Sequence, residues 1–438
     1  MNKDQVVNEI KALAAKYFSE YNFKTKYKVP LMSRSYNEEE IAEVVDTLLT
    51  PEKVTLNASG ELKTEKFENL WANFIGVKNG VMVNSGSSAN LVAIYALTNP
   101  TINNRLIVGD EVILPALNWS TCVSPLYAAG LKPVFVDVNS NEYGVDVNQV
   151  RDAIGPKTKA IMAVHLLGFP VDMDSIMTIA KENNLFVIED CCEAHGAEYK
   201  GSKVGSFGDI STFSFYLSHH ITTIEGGMIM SNNDNLSDLI RIIRSQGVMR
   251  NVKNIDYKNK INSKYPDIDS RFLFVNTGYN FRPTEMEGAF GLVQFNRFES
   301  YFKLREKNAE FFTRKLNKFS EFIQLPIITD NSRPAWFAYP IMLKENSPFT
   351  AKELVSFLEE KGIETRPIMS GDYTRHPVAN IYDNRIFGDL KNTKFIHDNA
   401  FFIGVHPGLR DEEKNYTISC FEEFFEKFWF KNQPLIYL

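Results

Sequence analysis

The stretch STFSFYLSHHITTIEGG, residues 211–227, decides how the rest of the chain is read. Its opening, Ser211-Thr212-Phe213-Ser214-Phe215, has the aromatic and β-branched character of a strand. A loop follows with His219 and His220 side by side, then Glu225 ahead of Gly226 and Gly227. A strand that delivers histidines into a loop presents groups that titrate near neutrality, able to accept and return a proton. Taken alone, the pair also fits a structural role or a metal site. No ligand-spaced carboxylate or further histidine stands beside it, so no metal is expected.

Working outward, short apolar runs recur at 108–114, 133–138, 160–167, 185–189 and 228–231. Helical stretches lie between several of them, at 87–97, 147–154 and 173–182. Strands alternating with helices predict a parallel or mostly parallel sheet with helices on both faces. The runs are nearly continuous in Val, Ile and Leu, as strands buried on both sides require. A long helical stretch at 285–316 leads into a different region. There a strand-like 340–343 precedes Thr350-Ala351-Lys352-Glu353, whose spacing predicts a capping box, with Gly362 as the stop. The expected division is N-terminal helices and an arm at 1–50, a large α/β domain at 51–309 and a smaller α+β domain at 310–438.

The chain of 438 residues carries 48 Lys and Arg against 54 Asp and Glu, so attraction to nucleic acid is not expected. Four cysteines do not make a disulfide framework, and none has zinc spacing. No segment approaches the ~18 apolar residues of a membrane span. The N-terminus reads as an amphipathic helix without the apolar core of a signal peptide, so a cytoplasmic location is expected.

Two further stretches bear on chemistry. Asn84-Ser85-Gly86-Ser87-Ser88-Ala89-Asn90 follows an apolar segment and opens a helix. Small residues there expose backbone N–H groups to a phosphate, although an ordinary Ser/Gly cap has the same composition. Val187-Ile188-Glu189-Asp190 is an apolar strand ending in two carboxylates. In open α/β sheets ligands bind beyond the carboxyl ends of strands, and an acid there can hold a protonated ring nitrogen.

With 60–67, 109–112, His165, 205–209, Gly278-Tyr279-Asn280-Phe281-Arg282 and Glu364-Thr365-Arg366-Pro367, these stretches in this order resemble the DegT/DnrJ/EryC1/StrS sugar aminotransferases. The resemblance covers about 31–423. It implies the aspartate-aminotransferase-like fold (fold type I), pyridoxal phosphate as cofactor, a nucleotide-linked 4-keto sugar as substrate, and a homodimer that shares its sites. Carried over, it assigns Gly86, Ser87 and Ser214 to the cofactor phosphate, Asp190 to the pyridine nitrogen, and Trp119 to stacking on the ring. It assigns Asn280 to the phosphate of the neighbouring subunit and Arg366 to an anionic group of the substrate. Glu193 stands where many relatives have a Gln near the phenolic oxygen. His220 is expected either to touch substrate or to orient the loop, and His165 and His195 either to line the site or to sit in the core. Arg244, Arg250 and Lys253 either meet the nucleotide diphosphate or form a solvated basic face.

One departure is decisive. The family's cofactor-bonding lysine lies five residues after the Ser of Ser-Phe. Counted from Ser214, that residue is His219, and no lysine occurs between Lys203 and Lys253. This exchange resembles the branch of pyridoxamine-phosphate-dependent sugar 3-dehydratases, which carry His-His-Ile-Thr there. Some of these bind a [2Fe–2S] cluster through clustered cysteines. Cysteines at 122, 191, 192 and 420 do not match, so no iron–sulfur cluster is expected. The branch without a cluster implies dehydration of GDP-4-keto-6-deoxymannose on the route to colitose, with His219 as the catalytic base and glutamate as amino donor. The same reaction on a CDP- or dTDP-sugar, a plain aminotransferase, and a non-catalytic cofactor-binding homologue are the alternatives. The polar insertion at 251–269 is a candidate for substrate choice.

Overall fold

The computed structural model describes residues 1–21, 25–55, 62–139 and 143–432, with side chains to 427. Part of the 60–67 stretch therefore lies outside the described residues.

The core is an eight-stranded sheet. Its spatial order is Asn79–Val83, Gly227–Ser231, Ile210–Ser214, Phe186–Asp190, Thr158–Val164, Glu111–Pro115, Lys132–Val136 and Arg385–Ile386. Only Gly227–Ser231 runs against the rest, pairing antiparallel with both neighbours. The sheet is mostly parallel, as the alternating pattern predicts, and the central strands are buried along their whole length. The strand bounds differ from the sequence reading by at most three residues. The Glu111–Pro115 strand starts later than expected because Gly109, at φ +88°, turns the chain just before it.

Because seven strands point one way, their carboxyl ends and the loops after them gather on one rim. Ser85 and Gly86, Trp119, His165, Asp190 and Ser214 all lie there. The entry of the reversed strand, Glu225–Gly227, meets the same rim. Behind it stands an aromatic wall. Trp71, fully buried, touches Phe74, Phe213, Phe215, Phe295 and Phe298. This wall backs the histidine loop and fixes where it leaves the sheet.

The helix Glu285–Leu316 opens with a Thr284–Glu287 capping box and spans both parts of the molecule. Beyond it, Ile323–Gln324, Tyr339–Leu343, Ala400–Ile403 and Arg366–Pro367 form an antiparallel four-stranded sheet. The Ala351–Glu360 helix begins with the Thr350–Glu353 box read from sequence. The chain returns once from this region to the large sheet, where Arg385–Ile386 adds an edge strand against Lys132–Val136. Arg385 pairs there with Glu111 at 2.7 Å. At the other end, the Lys3–Glu20 helix buries none of its residues, is capped by Asn2, and is joined to the Glu38–Leu48 helix by Lys3–Asp46 and Lys11–Glu39 ion pairs. Among the described residues no helix is long and apolar enough to cross a membrane.

Candidate active site

A cavity of about 400 Å³ opens on the rim. Its floor is the start of the Gly86–Leu97 helix. Ser85 is the N-cap, and its hydroxyl accepts from Ser88 N–H at 3.0 Å. The free N–H groups of that first turn face Ser214, the last residue of its strand. Only glycine fits at 86, since a Cβ there would come 2.5 Å from Ser214 Cβ. The closeness of helix and strand leaves a cradle edged by hydroxyls and N–H groups, the chemistry a phosphate needs. Substituting Gly86 by Ala is expected to weaken cofactor binding about tenfold by forcing that cradle apart. Equilibrium titration of the apoprotein with pyridoxal phosphate measures it; unchanged affinity would mean that the cradle is not the phosphate site.

The strand Phe186–Asp190 ends in two acids whose side chains point to opposite faces, as strand alternation dictates. Glu189 turns away from the cavity and is fully committed. It accepts from Gly205, Phe207 and Gly208 N–H at 2.7–2.8 Å and from His165 Nε2 at 3.2 Å. His165 Nδ1 accepts from Val171 N–H, so its proton sits on Nε2. His165, Glu189 and Cys191 bring donor atoms close enough for a metal ion, but these bonds already occupy both the imidazole and the carboxylate. Asp190 faces the cavity. Asn90 Nδ2 donates to its Oδ2 at 2.8 Å, Cys122 Sγ lies 3.1 Å from the same oxygen, and Cys192 N–H donates to Oδ1 at 3.0 Å. Asn90 is itself oriented by Thr212 Oγ1 at 2.7 Å. Every donor here asks for an ionised, acceptor-only carboxylate, which is the partner a protonated ring nitrogen requires.

Trp119 caps the Ser120–Ala128 helix and stays half exposed over the cavity, a large ring with one face free. Glu193 lines the wall and accepts from Leu167 N–H at 2.7 Å. Burial pushes its carboxyl up to about 8, with Asp190 adding repulsion. At neutral pH Glu193 is therefore protonated and can donate a hydrogen bond, as the amide of a Gln would. In the fold it keeps its proton between its ordinary 4.5 and about 8, whereas the unfolded chain has lost it. Its contribution to stability is therefore complete below about 4.5 and lost as pH rises to about 8. Glu193→Gln in the cofactor-free protein is expected to gain melting temperature over wild type as pH rises from 5 to 8.5. A constant difference in a thermal series would contradict a buried neutral carboxyl.

His219 projects into the cavity from the loop, with its ring against Phe337 and Tyr216 at centroid distances of 5.3 and 6.3 Å. Burial, and then the charge of Arg305, lowers its imidazole to about 3. It is thus neutral at pH 7.

The structure separates the other sequence candidates from this group. His220 does not line the cavity. Its Nε2 donates to Ala335 O at 2.9 Å, so its Nδ1 accepts from His195 Nδ1 at 3.2 Å. With both nitrogens engaged, the substrate contact expected of His220 gives way to holding the loop. His195 is buried behind it against Trp71. Arg244, expected either at a diphosphate or on a solvated basic face, is buried instead: it pairs with Glu68 at 2.7 Å and donates to Met82 O at 2.6 Å. Lys253 pairs with Glu65 at 3.0 Å. Arg366 sits on the edge of the small sheet, donating to Thr365 O and Glu364 at 2.7 Å, outside the cavity. Asn280 is exposed; the next residue, Phe281, ties its run to the phosphate loop by accepting from Asn84 N–H at 3.0 Å. Missed by the sequence reading were Asn90, Thr212 and Cys122, the groups that hold Asp190. Only their location on adjoining elements at the rim reveals them.

A phosphate cradle, a carboxylate for a ring nitrogen and an aromatic lid on one rim of this sheet define a pyridoxal-phosphate enzyme of the aminotransferase fold. The chain belongs to the DegT/DnrJ/EryC1/StrS aminotransferase family, whose model matches residues 35–422. It is 39% identical to the lipopolysaccharide biosynthesis protein RfbH of Salmonella typhimurium, over 82% of this chain and 84% of that protein. It is 37% identical to a GDP-4-keto-6-deoxy-D-mannose 3-dehydratase of Yersinia pseudotuberculosis, over 88% and 96%. Identity to a dTDP-4-dehydro-2,6-dideoxy-D-glucose 3-dehydratase of Saccharopolyspora spinosa is 36%, over 83% and 80%. Among solved structures, GDP-4-keto-6-deoxymannose-3-dehydratase with a trapped PLP-glutamate geminal diamine superposes with a TM-score of 0.81 at 32% identity, over 90% of this chain and 100% of that one. The cofactor is pyridoxal phosphate or its pyridoxamine form, and the residues present fit it.

Proposed function

We propose that this chain is a pyridoxamine-phosphate-dependent 3-dehydratase, a lyase that removes the C3 hydroxyl of a nucleotide-linked 4-keto-6-deoxyhexose. The preferred substrate is GDP-4-keto-6-deoxymannose, in the biosynthesis of a colitose-type 3,6-dideoxysugar of lipopolysaccharide O-antigen. One observation carries the reading: the group at the mouth of the cofactor cavity is the neutral imidazole of His219, where an aminotransferase needs a lysine amine. The relatives named as 3-dehydratases support it.

When bound as the amine, the cofactor supplies the nitrogen that condenses with the sugar ketone and a ring that takes up an electron pair. The rest falls to the protein. Ser87, Ser214 and the helix start at Gly86 hold the phosphate. Asp190 keeps the ring nitrogen protonated, Trp119 covers the ring, and protonated Glu193 donates to the phenolic oxygen. His219 takes a proton from the carbon bearing the amine and returns one to the departing C3 hydroxyl, one side chain serving both directions. Having no amine, it cannot bond to the cofactor and divert the reaction to an amino sugar. Glutamate restores the amine. Asn280, exposed and linked to the phosphate loop, reaches the site of a second copy, so the enzyme works as a homodimer. Arg366, exposed at its sheet edge beside Glu364, meets an anionic substrate group. The largely exposed 251–269 segment, with its helix Ile255–Lys264, bears on the choice of nucleotide.

In this scheme the oxygen lost by the sugar is balanced by oxidation of glutamate. With glutamate and no reductase, 2-oxoglutarate and free ammonia are expected in amounts equal to the deoxygenated sugar. A sugar that retains the nitrogen, with no free ammonia, would replace the reading with an aminotransferase. The dTDP-sugar relative favours a second carrier, so dTDP substrates belong in the same assay.

A further inference from the structure

A second, smaller cavity lies on the other side of His219. It measures about 150 Å³ and is walled by Arg34, Ser35, His219, His220, Arg305 and His406. It forms where the N-terminal arm, the histidine loop, the Glu285–Leu316 helix and the turn after Ala400–Ile403 converge. Five of these residues carry a buried polar atom with no hydrogen-bond partner: Arg34 Nη1, Ser35 Oγ, His219 Nδ1, Arg305 Nε and His406 Nδ1. Buried polar groups are ordinarily paired, so five such atoms around one cavity mark a place for a group from outside.

The charge around it says which kind. Arg305 is 4% exposed, and its Nη1 donates only to the carbonyls of Trp336 and Phe337, at 3.1 and 3.0 Å. Arg34 lies over the ring of Phe18 at 3.9 Å. Among the described residues neither guanidinium pairs with a carboxylate, and no acid lines the cavity. A buried guanidinium with no counter-charge is costly, and its planar fork matches an oxyanion. The space suits a carboxylate and is too small for a nucleotide diphosphate. The cavity also shares Ser218 and His219 with the cofactor cavity. A dicarboxylic amino acid with its amine at the cofactor can pass one carboxylate beside the imidazole into it.

We infer that Arg34 and Arg305 form a carboxylate subsite for the amino donor. The inference rests on the reading above that an amino acid restores the cofactor amine. Arg305 also holds two carbonyls and its loss can unfold the protein, so the test uses Arg34→Gln beside Arg305→Lys. Three quantities are measured on the holoenzyme: the glutamate KM for converting the pyridoxal to the pyridoxamine form, the affinity for glutarate by calorimetry, and the single-turnover rate on the sugar with pyridoxamine phosphate supplied. Arg34→Gln is expected to raise the glutamate KM and the glutarate Kd about tenfold, with the sugar step within about twofold of wild type. Unchanged glutamate and glutarate constants overturn the subsite. So does an equal loss in both half-reactions, which would give the arginines to the sugar's phosphates or to the fold. If wild-type enzyme accepts the amine from glutamate and dehydrates no sugar, the proposed function falls and the subsite stands.

Discussion

Replacing His219 by lysine is expected to abolish dehydration and to create an absorbance band from a covalent bond between the lysine and the cofactor. The loop already aims residue 219 into the cavity, and a lysine is longer than a histidine, so its amine can reach a cofactor bound there. Histidine accepts a proton and cannot hold the cofactor by a stable covalent bond. The loss should exceed the ~10²–10⁴-fold contribution of a positioned proton-transfer group, because the competing bond also occupies the reacting carbon. Absorbance spectra and turnover of the variant measure both effects. A variant that dehydrates at the wild-type rate would remove His219 from the mechanism.

Replacing Asp190 by asparagine should cost nearly as much for a different reason. The side chain keeps its shape but loses its charge. Asn90, Cys122 and Cys192 all approach Asp190 as donors, and an amide offers one acceptor oxygen in place of two. The variant must therefore either leave a donor unpaired or turn its NH₂ towards the ring nitrogen. Loss of a charge-assisted bond at a point where charge develops is worth on the order of 10²–10³-fold in rate. Turnover with saturating cofactor tests it. Full activity would mean that ring protonation is not maintained from this residue.

Much of this arrangement was legible in the chain. The strand-and-helix alternation defined the sheet, and the capping box at Thr350 fixed the start of a helix. The order of short motifs around His219 pointed to the family. Local pattern succeeds there because strand ends and helix starts are set by neighbouring residues. What it could not supply was direction. Local pattern leaves the adjacent acids Glu189 and Asp190 equivalent; the resemblance singled out Asp190, and the N–H groups of Gly205, Phe207 and Gly208 that draw Glu189 away were not legible. His219 and His220 are adjacent imidazoles, and Ala335, more than a hundred residues on, takes the second one away. Arg244 read as a basic residue of a loop, yet Glu68 from the Lys63–Ile75 helix draws it inside. Long-range partners decide such cases, and a single sequence does not name them.

The direct test is the mass of the product. The protein is incubated with pyridoxamine phosphate, glutamate and GDP-, CDP- and dTDP-4-keto-6-deoxy sugars, with no reductase, and the sugars are weighed by mass spectrometry. A GDP-sugar one oxygen lighter than its substrate is the result that a histidine at residue 219 predicts. An amino sugar from any carrier would show that transamination proceeds without the lysine, and would contradict the account.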